Sequence, residues 1–236
     1  MRSGVIVFPG SNCDHDCFHV LKEVTGGQVD MIWHETSDFG KEPYDLIVVP
    51  GGFSYGDYLR AGALAHFAPA MKEIKRHADN GGLVIGICNG FQILTESQLL
   101  PGVLMRNTCM KFICKHIYLK VENNNSPMMR KYSNGQVIRM PIAHGEGNYQ
   151  ADQKVIDNLK KNNQIVFKYC SENGETSEPF NPNGSIDNIA GICNERGNVI
   201  GLMPHPERCS EEVLGCADGR LMFQSAVEYA AARKIV

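Results

Sequence analysis

GGLVIGICNGFQIL, residues 81–94, decides the fold. Residues 83–87 are apolar enough for a buried strand, and Phe91, Gln92, Ile93 and Leu94 suit the first turns of a helix. Between them stands one thiol in the frame Gly86-Ile87-Cys88-Asn89-Gly90, or G-x-C-x-G. A nucleophile on a sharp strand-to-helix turn needs small neighbours, because the backbone is tight there and the side chain must stay free. The serine form of this device is G-x-S-x-G. The helix that follows points its N-terminus at the thiol, which favours the thiolate. A buried cysteine packed between a strand and a helix is the plainer alternative.

The surrounding chain repeats the same strand–helix unit. Residues 4–8 form a short apolar strand closed by Pro9-Gly10, and Ser11 or Asn12 caps a helix over 14–24 that ends at Gly26-Gly27. Strands follow at 29–33 and 46–49, the latter running into Pro50-Gly51-Gly52, and a helix over 63–78 leads to the strand at 83–87. Apolar strands alternating with helices predict a parallel sheet covered on both faces. Residues 111–121 and 136–142 read as strands without a helix between them, a small antiparallel annex. A helix at 152–160, a strand at 165–169, a surface loop over 171–187, a hairpin of 189–194 with 199–203 and a helix at 221–231 complete the chain. The expectation is an α/β fold with an open, mostly parallel sheet, arranged as one domain over residues 1–236.

Composition narrows the function. Lys plus Arg is 23 and Asp plus Glu is 26, a net charge of −3, so the chain lacks the basic excess of a nucleic-acid-binding surface. No apolar stretch has the form of a signal peptide or reaches the length of a membrane span. Nine cysteines without a secretion signal then suit free thiols in a reducing cytoplasm. The spacings Cys13 to Cys17 and Cys109 to Cys114 are not those of a zinc site, and no metal is expected.

A cysteine nucleophile needs a base and a group to orient it. His205 lies in Met203-Pro204-His205-Pro206-Glu207-Arg208, directly after an apolar strand. The flanking prolines hold the backbone extended, and in extended chain residues i and i+2 face the same way, so His205 and Glu207 can share a site. His144, in Ala143-His144-Gly145-Glu146-Gly147, is a rival base whose glycine-rich setting suits substrate binding equally well. The other histidines, 15, 19, 34, 66, 77 and 116, are scattered over helices and strands. Backbone N–H groups of Gly51-Gly52-Phe53 and of Asn89 are candidate donors to an oxyanion. In an open parallel sheet all these positions fall at the carboxyl ends of strands, where ligands bind. Cys170 and Cys193 also close apolar runs, but they lack paired glycines.

Taken together, FPGSNCD at 8–14, WHE at 33–35, PGGFSYGDYLRAGA at 50–63, GICNGFQIL at 86–94, LLPG at 99–102, HGEGN at 144–148, GNVIGLMPHPER at 197–208 and GCADG at 215–219 resemble the class I, or triad, glutamine amidotransferases. The likeness runs over nearly the whole chain and reaches the stand-alone glutaminase subunits of purine biosynthesis. It implies a flavodoxin-like glutamine amidotransferase fold, with Cys88, His205 and Glu207 as the catalytic triad. Gly51, Gly52 and Asn89 then serve the oxyanion, with Gln92 and His144 at the substrate, glutamine. It implies no cofactor in this chain. The chain carries no phosphate-binding G-x-x-x-x-G-K-[ST] segment. The ATP and magnesium would therefore belong to a large synthetase subunit that binds formylglycinamide ribonucleotide, with a small third subunit alongside. Residues 54–62, SYGDYLRAG, are a candidate part of that contact.

Other classes remain open at this point. A cysteine peptidase or hydrolase would use a similar elbow, but PGGFSYGDYLRAGA speaks against it. A thiol-sensing binding protein would leave His205-Pro206-Glu207 without a purpose. A triad subunit serving a different synthetase would differ only in its partner.

Overall fold

The computed structural model describes residues 1–233. The chain begins with β1 (Arg2–Val7), α1 (Asp14–His19), continued by a π-helical turn Val20–Val24, and β2 (Gln28–Trp33). β3 (Leu46–Val49), α2 (Ala70–Asp79), β4 (Leu83–Ile87) and α3 (Asn89–Glu96) follow. The middle holds β5 (Val103–Met105), β6 (Ile113–Val121), β7 (Val137–His144), β8 (Asn148–Gln150) and α4 (Gln153–Lys161). β9 (Ile165–Cys170), β10 (Ile189–Cys193), β11 (Val199–Leu202) and α5 (Arg220–Arg233) end it.

Nine strands make one sheet in the order β2-β1-β3-β4-β11-β10-β9-β6-β7, with β5 and β8 as a separate two-stranded ribbon. The first five strands pair in parallel. From β11 outward every pairing is antiparallel. The expected annex is thus a continuation of the main sheet, and β11 is the seam between the two halves. The step from β1 to β2 runs opposite to the step from β3 to β4. Right-handed crossovers then put α1 and α2 on opposite faces. Both-sided cover is why Leu46, Ile47, Val48 and Val49 have no exposed surface. Each such burial contributes about 1.5–3 kcal/mol.

Two expectations need correction. The helix foreseen over 63–78 starts only at Ala70, because Pro69 lacks the N–H an interior position needs and instead sits at the N-terminus. A short 3-10 turn, Ala65–Phe67, precedes it. The loop over 171–187 is not wholly superficial either. Asn183 and Ser185 are buried, and their side chains bond Gly147 O at 2.8 and 3.2 Å.

β1 lies between β2 and β3, so the chain order reverses at its carboxyl end. That is the topological switch point, where the loops after β1 and β3 meet. An isolated bridge between Ser11 and Gly52 joins them.

Candidate active site

At the end of β4 the backbone turns so sharply that Cys88 takes φ 51° and ψ −105°, a conformation side chains rarely adopt. The flanking glycines are what allow it. A Cβ on Gly86 would stand 2.7 Å from Gly90 O, and one on Gly90 would overlap the Val49 carbonyl. The G-x-C-x-G spacing therefore reports the close seating of α3 on β3 and β4. The Cys88 N–H bonds Leu202 O at 2.8 Å, which sets the thiol beside the end of β11, and Cys88 Sγ faces Ala143 O at 3.6 Å.

β11 leads directly to His205, whose N–H bonds Pro141 O at 2.9 Å. His205 Nδ1 meets Glu207 Oε1 at 2.6 Å, with both residues buried. The i, i+2 reading holds, but the backbone does not stay extended. Pro206 opens a 3-10 turn, Pro206–Cys209, since a first-turn position does not need the N–H that proline lacks. Burial disfavours the imidazolium, yet Glu207, and behind it Cys88 and Cys13, hold the His205 pKa well above its ordinary value. His205 Nε2 and Glu207 Oε2 are buried without a hydrogen-bond partner. With Nδ1 committed to the carboxylate, Nε2 is the nitrogen left for the thiol.

The two oxyanion candidates follow the ends of β3 and β4. Phe53 N–H to Gly10 O (2.9 Å) and Asn12 N–H to Gly51 O (3.3 Å) close the Ser11–Gly52 bridge, leaving the Gly52 N–H outside it. Asn89 opens α3, where a first-turn N–H has no intrahelical acceptor. Phe53's N–H, by contrast, is spent on the bridge. Gly51 is needed for space, since a Cβ there would lie 2.9 Å from both Cys13 Sγ and His205 Cε1. Gln92 is tied to both sides of the site: Asn89 Nδ2 donates to its Oε1 at 2.8 Å, and its Nε2 donates to Glu146 O at 2.6 Å.

His144 is hydrogen-bonded to an amide where His205 has a carboxylate. Its Nδ1 lies 3.1 Å from Asn107 Oδ1, and Nε2 is buried without a partner. Burial, and then the charge of His205, push its pKa down to about 4. The two histidines thus differ in sense, His144 held neutral by burial and His205 favoured as imidazolium by its carboxylate partner. Gly147 leaves room for the His144 ring, since a Cβ there would overlap the imidazole.

Residues 1–230 match the CobB/CobQ-like glutamine amidotransferase domain. The chain belongs to that family. Among curated relatives, a phosphoribosylformylglycinamidine synthase subunit PurQ from Moorella thermoacetica is 56% identical, covering 97% of this chain and 96% of the relative. A protein of the same name from Pseudothermotoga lettingae is 55% identical, covering 99% and 98%. Among solved structures, a chain of PurLQS from Thermotoga maritima superposes with a TM-score of 0.84 at 45% identity, over 97% of this chain and 98% of that one.

This amidotransferase also brings residues to the site that the sequence did not single out. Cys13, from the loop after β1, reaches to 3.8 Å from His205 Nδ1, and Arg208 Nη2 donates to its Sγ at 3.0 Å. Its position in the loop at the carboxyl end of β1 was the available signal. Asn107 organises HGEGN, donating to His144 O at 2.9 Å and accepting from Gly147 N–H at 3.0 Å.

Among the described residues, Cys13, His205 and Glu207 form a group close enough to grip an ion, their ligand atoms lying within 4.8 Å of one another. A zinc ion would hold its nitrogen and oxygen ligands about 3.3 Å apart. The 2.6 Å between Nδ1 and Oε1 is a hydrogen bond sharing a proton instead. A cleft of about 410 Å³ lined by Tyr44, His77 and Tyr229 opens at the amino ends of β3 and β4, away from the triad.

The neutral His144 makes part of the amidotransferase's stability acid-sensitive. In the unfolded chain its imidazole takes a proton near 6.5, in the folded chain only near 4. Stability present above pH 6.5 is therefore lost as pH falls through that window, by about 3 kcal/mol at most. Asp57, pushed up to about 6 by burial and then by Glu146, works in the opposite direction. The contribution of His144 is isolated by comparing His144→Asn with wild type. The variant's urea midpoint is expected to fall less between pH 7 and pH 5; equal falls would refute the assignment.

Proposed function

We propose that the chain is the glutaminase subunit of phosphoribosylformylglycinamidine synthase. It hydrolyses glutamine and passes ammonia to a large synthetase subunit that uses ATP and magnesium on formylglycinamide ribonucleotide, with a small third subunit, in the cytoplasm. The observation that carries the reading is the buried His205–Glu207 pair set beside a glycine-flanked Cys88 in a chain 56% identical to a PurQ subunit. No helix among the described residues is long and apolar enough to cross a membrane.

In this reading His205 Nε2 takes the Cys88 proton, while Glu207 fixes Nδ1 as the protonated nitrogen. The thiolate attacks the glutamine carboxamide, and the carbonyl oxygen becomes an oxyanion facing the Gly52 and Asn89 N–H groups. One such donor is worth about 10²–10³ in rate. His205 returns its proton to the departing ammonia, leaving a glutamyl thioester on Cys88. Water, deprotonated by the same imidazole, then releases glutamate and the free thiol. Gln92 and the HGEGN turn, joined through Glu146 O, form one wall for the substrate.

The test is glutamate release by the purified chain, alone and with the synthetase subunit loaded with nucleotide and acceptor substrate. Acid-quenched samples would be digested and analysed for a glutamyl adduct on the peptide containing Cys88. Turnover that rises with the partner, together with the adduct, is expected. No glutamate release even in the loaded complex would sink the proposal.

A further inference from the structure

The loop after β1 touches both halves of the catalytic machinery. On one side it holds the oxyanion loop. The Asn12 and Cys13 N–H groups both donate to Gly51 O, at 3.3 and 3.2 Å, and Gly10 O accepts from Phe53 N–H at 2.9 Å. On the other side it meets the base. Cys13 Sγ stands 3.8 Å from His205 Nδ1, the nitrogen already bonded to Glu207. A Cβ on Gly51 would lie 2.9 Å from both Cys13 Sγ and His205 Cε1, so the sulfur and the edge of the imidazole rest together on the Gly51 backbone. Burial pushes the Cys13 pKa up, which keeps the group a neutral thiol. Its S–H is given to Asn12 Oδ1 at 3.1 Å, leaving the sulfur lone pairs for its other neighbours.

Arg208 pins that sulfur. Its Nη2 donates to Cys13 Sγ at 3.0 Å, and its Nε donates to Asp16 Oδ2 at 3.1 Å. Asp16 belongs to α1, whereas Arg208 shares the turn Pro206–Cys209 with Glu207. One planar guanidinium thus ties the helix after β1 to the turn carrying the triad carboxylate, with two donors in fixed geometry. The Arg208 and Asp16 side chains are 36% and 46% exposed, and an ion pair so open to water adds little stability. What it fixes is a direction.

We propose that Cys13 and Arg208 are positioning residues for the catalytic base, holding the His205 ring against Gly51 with Nδ1 on Glu207 and Nε2 left for Cys88. A single hydrogen bond to one carboxylate oxygen leaves the imidazole free to swing about it. Cys13 Sγ closes one side of that swing, and Arg208 keeps the sulfur from retreating. The same loop holds Gly51, so the base and the oxyanion donors keep their spacing. A displacement of about 1 Å in such a site costs about 100-fold. The effect on turnover rests on the glutaminase reading; the seating of the ring does not.

Cys13→Ala is expected to lower kcat for glutamine hydrolysis about 10-fold with KM within about 2-fold of wild type, because the ring loses its stop while substrate contacts stay. Cys13→Ser keeps a donor and lone pairs in the same place and should recover to within about 3-fold of wild type. Cys17→Ala, which removes a buried thiol one turn further along, is the control for packing. It should keep kcat within about 2-fold of wild type at a comparable loss of stability. The readout that packing alone leaves unmoved is the downfield ¹H resonance of His205 Nδ1–H in its 2.6 Å bond to Glu207. That resonance should shift upfield in Cys13→Ala and stay in place in Cys17→Ala. Arg208→Lys keeps the charge but loses the fork, at a half-exposed position where folding tolerates the change, and should repeat both the fall in kcat and the shift. An unmoved resonance in Cys13→Ala or in Arg208→Lys overturns the proposal, as does an equal fall of kcat in Cys17→Ala. If the wild type never turns over glutamine, the glutaminase reading fails, and the resonance alone still decides whether Cys13 and Arg208 seat the ring.

Discussion

Glu207→Gln is expected to lower kcat for glutamine hydrolysis by about 10³–10⁴-fold while leaving KM within a few-fold of wild type. The carboxylate bonds His205 Nδ1 at 2.6 Å inside the protein, and no substrate atom needs to touch it. Glutamine keeps the shape but can present its N–H₂ to Nδ1. That selects the tautomer with the proton on Nε2, the nitrogen that must receive the thiol proton. The electrostatic consequence has a definite sign. Burial already lowers the His205 pKa, and Glu207 is the first of the groups opposing it. Without that charge the imidazole should titrate well below its wild-type position, which NMR of the His205 ring protons would follow. A variant with near wild-type kcat, or with His205 titrating unchanged, would show that the carboxylate does not govern the base.

The second large effect is mechanical. Gly90→Ala is expected to cost about 3 kcal/mol or more in stability and to abolish measurable turnover. Its Cβ would overlap the Val49 carbonyl, a backbone atom inside β3 that cannot rotate away. Relief requires α3 to lift, and α3 carries the Asn89 N–H, Gln92 and the strained turn at Cys88. Gly145→Ala is the control for stability, because the nearest atom to its Cβ would be Phe112 Cδ2 at 3.9 Å. Its urea midpoint should move by less than about 1 kcal/mol equivalent. Equal midpoints for the two variants would mean that the close approach of α3 to β3 is not a constraint.

Much of this was legible because the chemistry is encoded locally. The buried strands announce themselves as short runs of Val, Ile and Leu, and the elbow through two glycines that flank one thiol. His205 and Glu207 are two residues apart, so a short extended stretch sufficed to place them together. What could not be read depends on distant partners. Cys13 meets His205 across 192 positions of chain, and Asn107 meets His144 across 37. Single polar residues in loops carry no periodicity, so nothing local points to their partners. The buried part of 171–187 was missed for the same reason, since Asn183 acquires its purpose from Gly147 O and Tyr169 OH. The turn at 206–209 was misread because proline excludes an interior helical position but welcomes a first one.

The seam strand has a consequence for the chain as it is made. β11 pairs with β4 on one side and β10 on the other, so a strand near the middle of the sheet is drawn from residues 199–202. A nascent chain on the ribosome can assemble β1 to β4 early, but β4 then waits beside an open edge through more than a hundred residues of synthesis. Such long-range closure is slow, and the waiting edge is exposed to wrong partners. The delay also acts as a safeguard. In the proposed mechanism, a truncated product ending before His205 has the thiol elbow without its base, so it would not release ammonia away from a completed assembly.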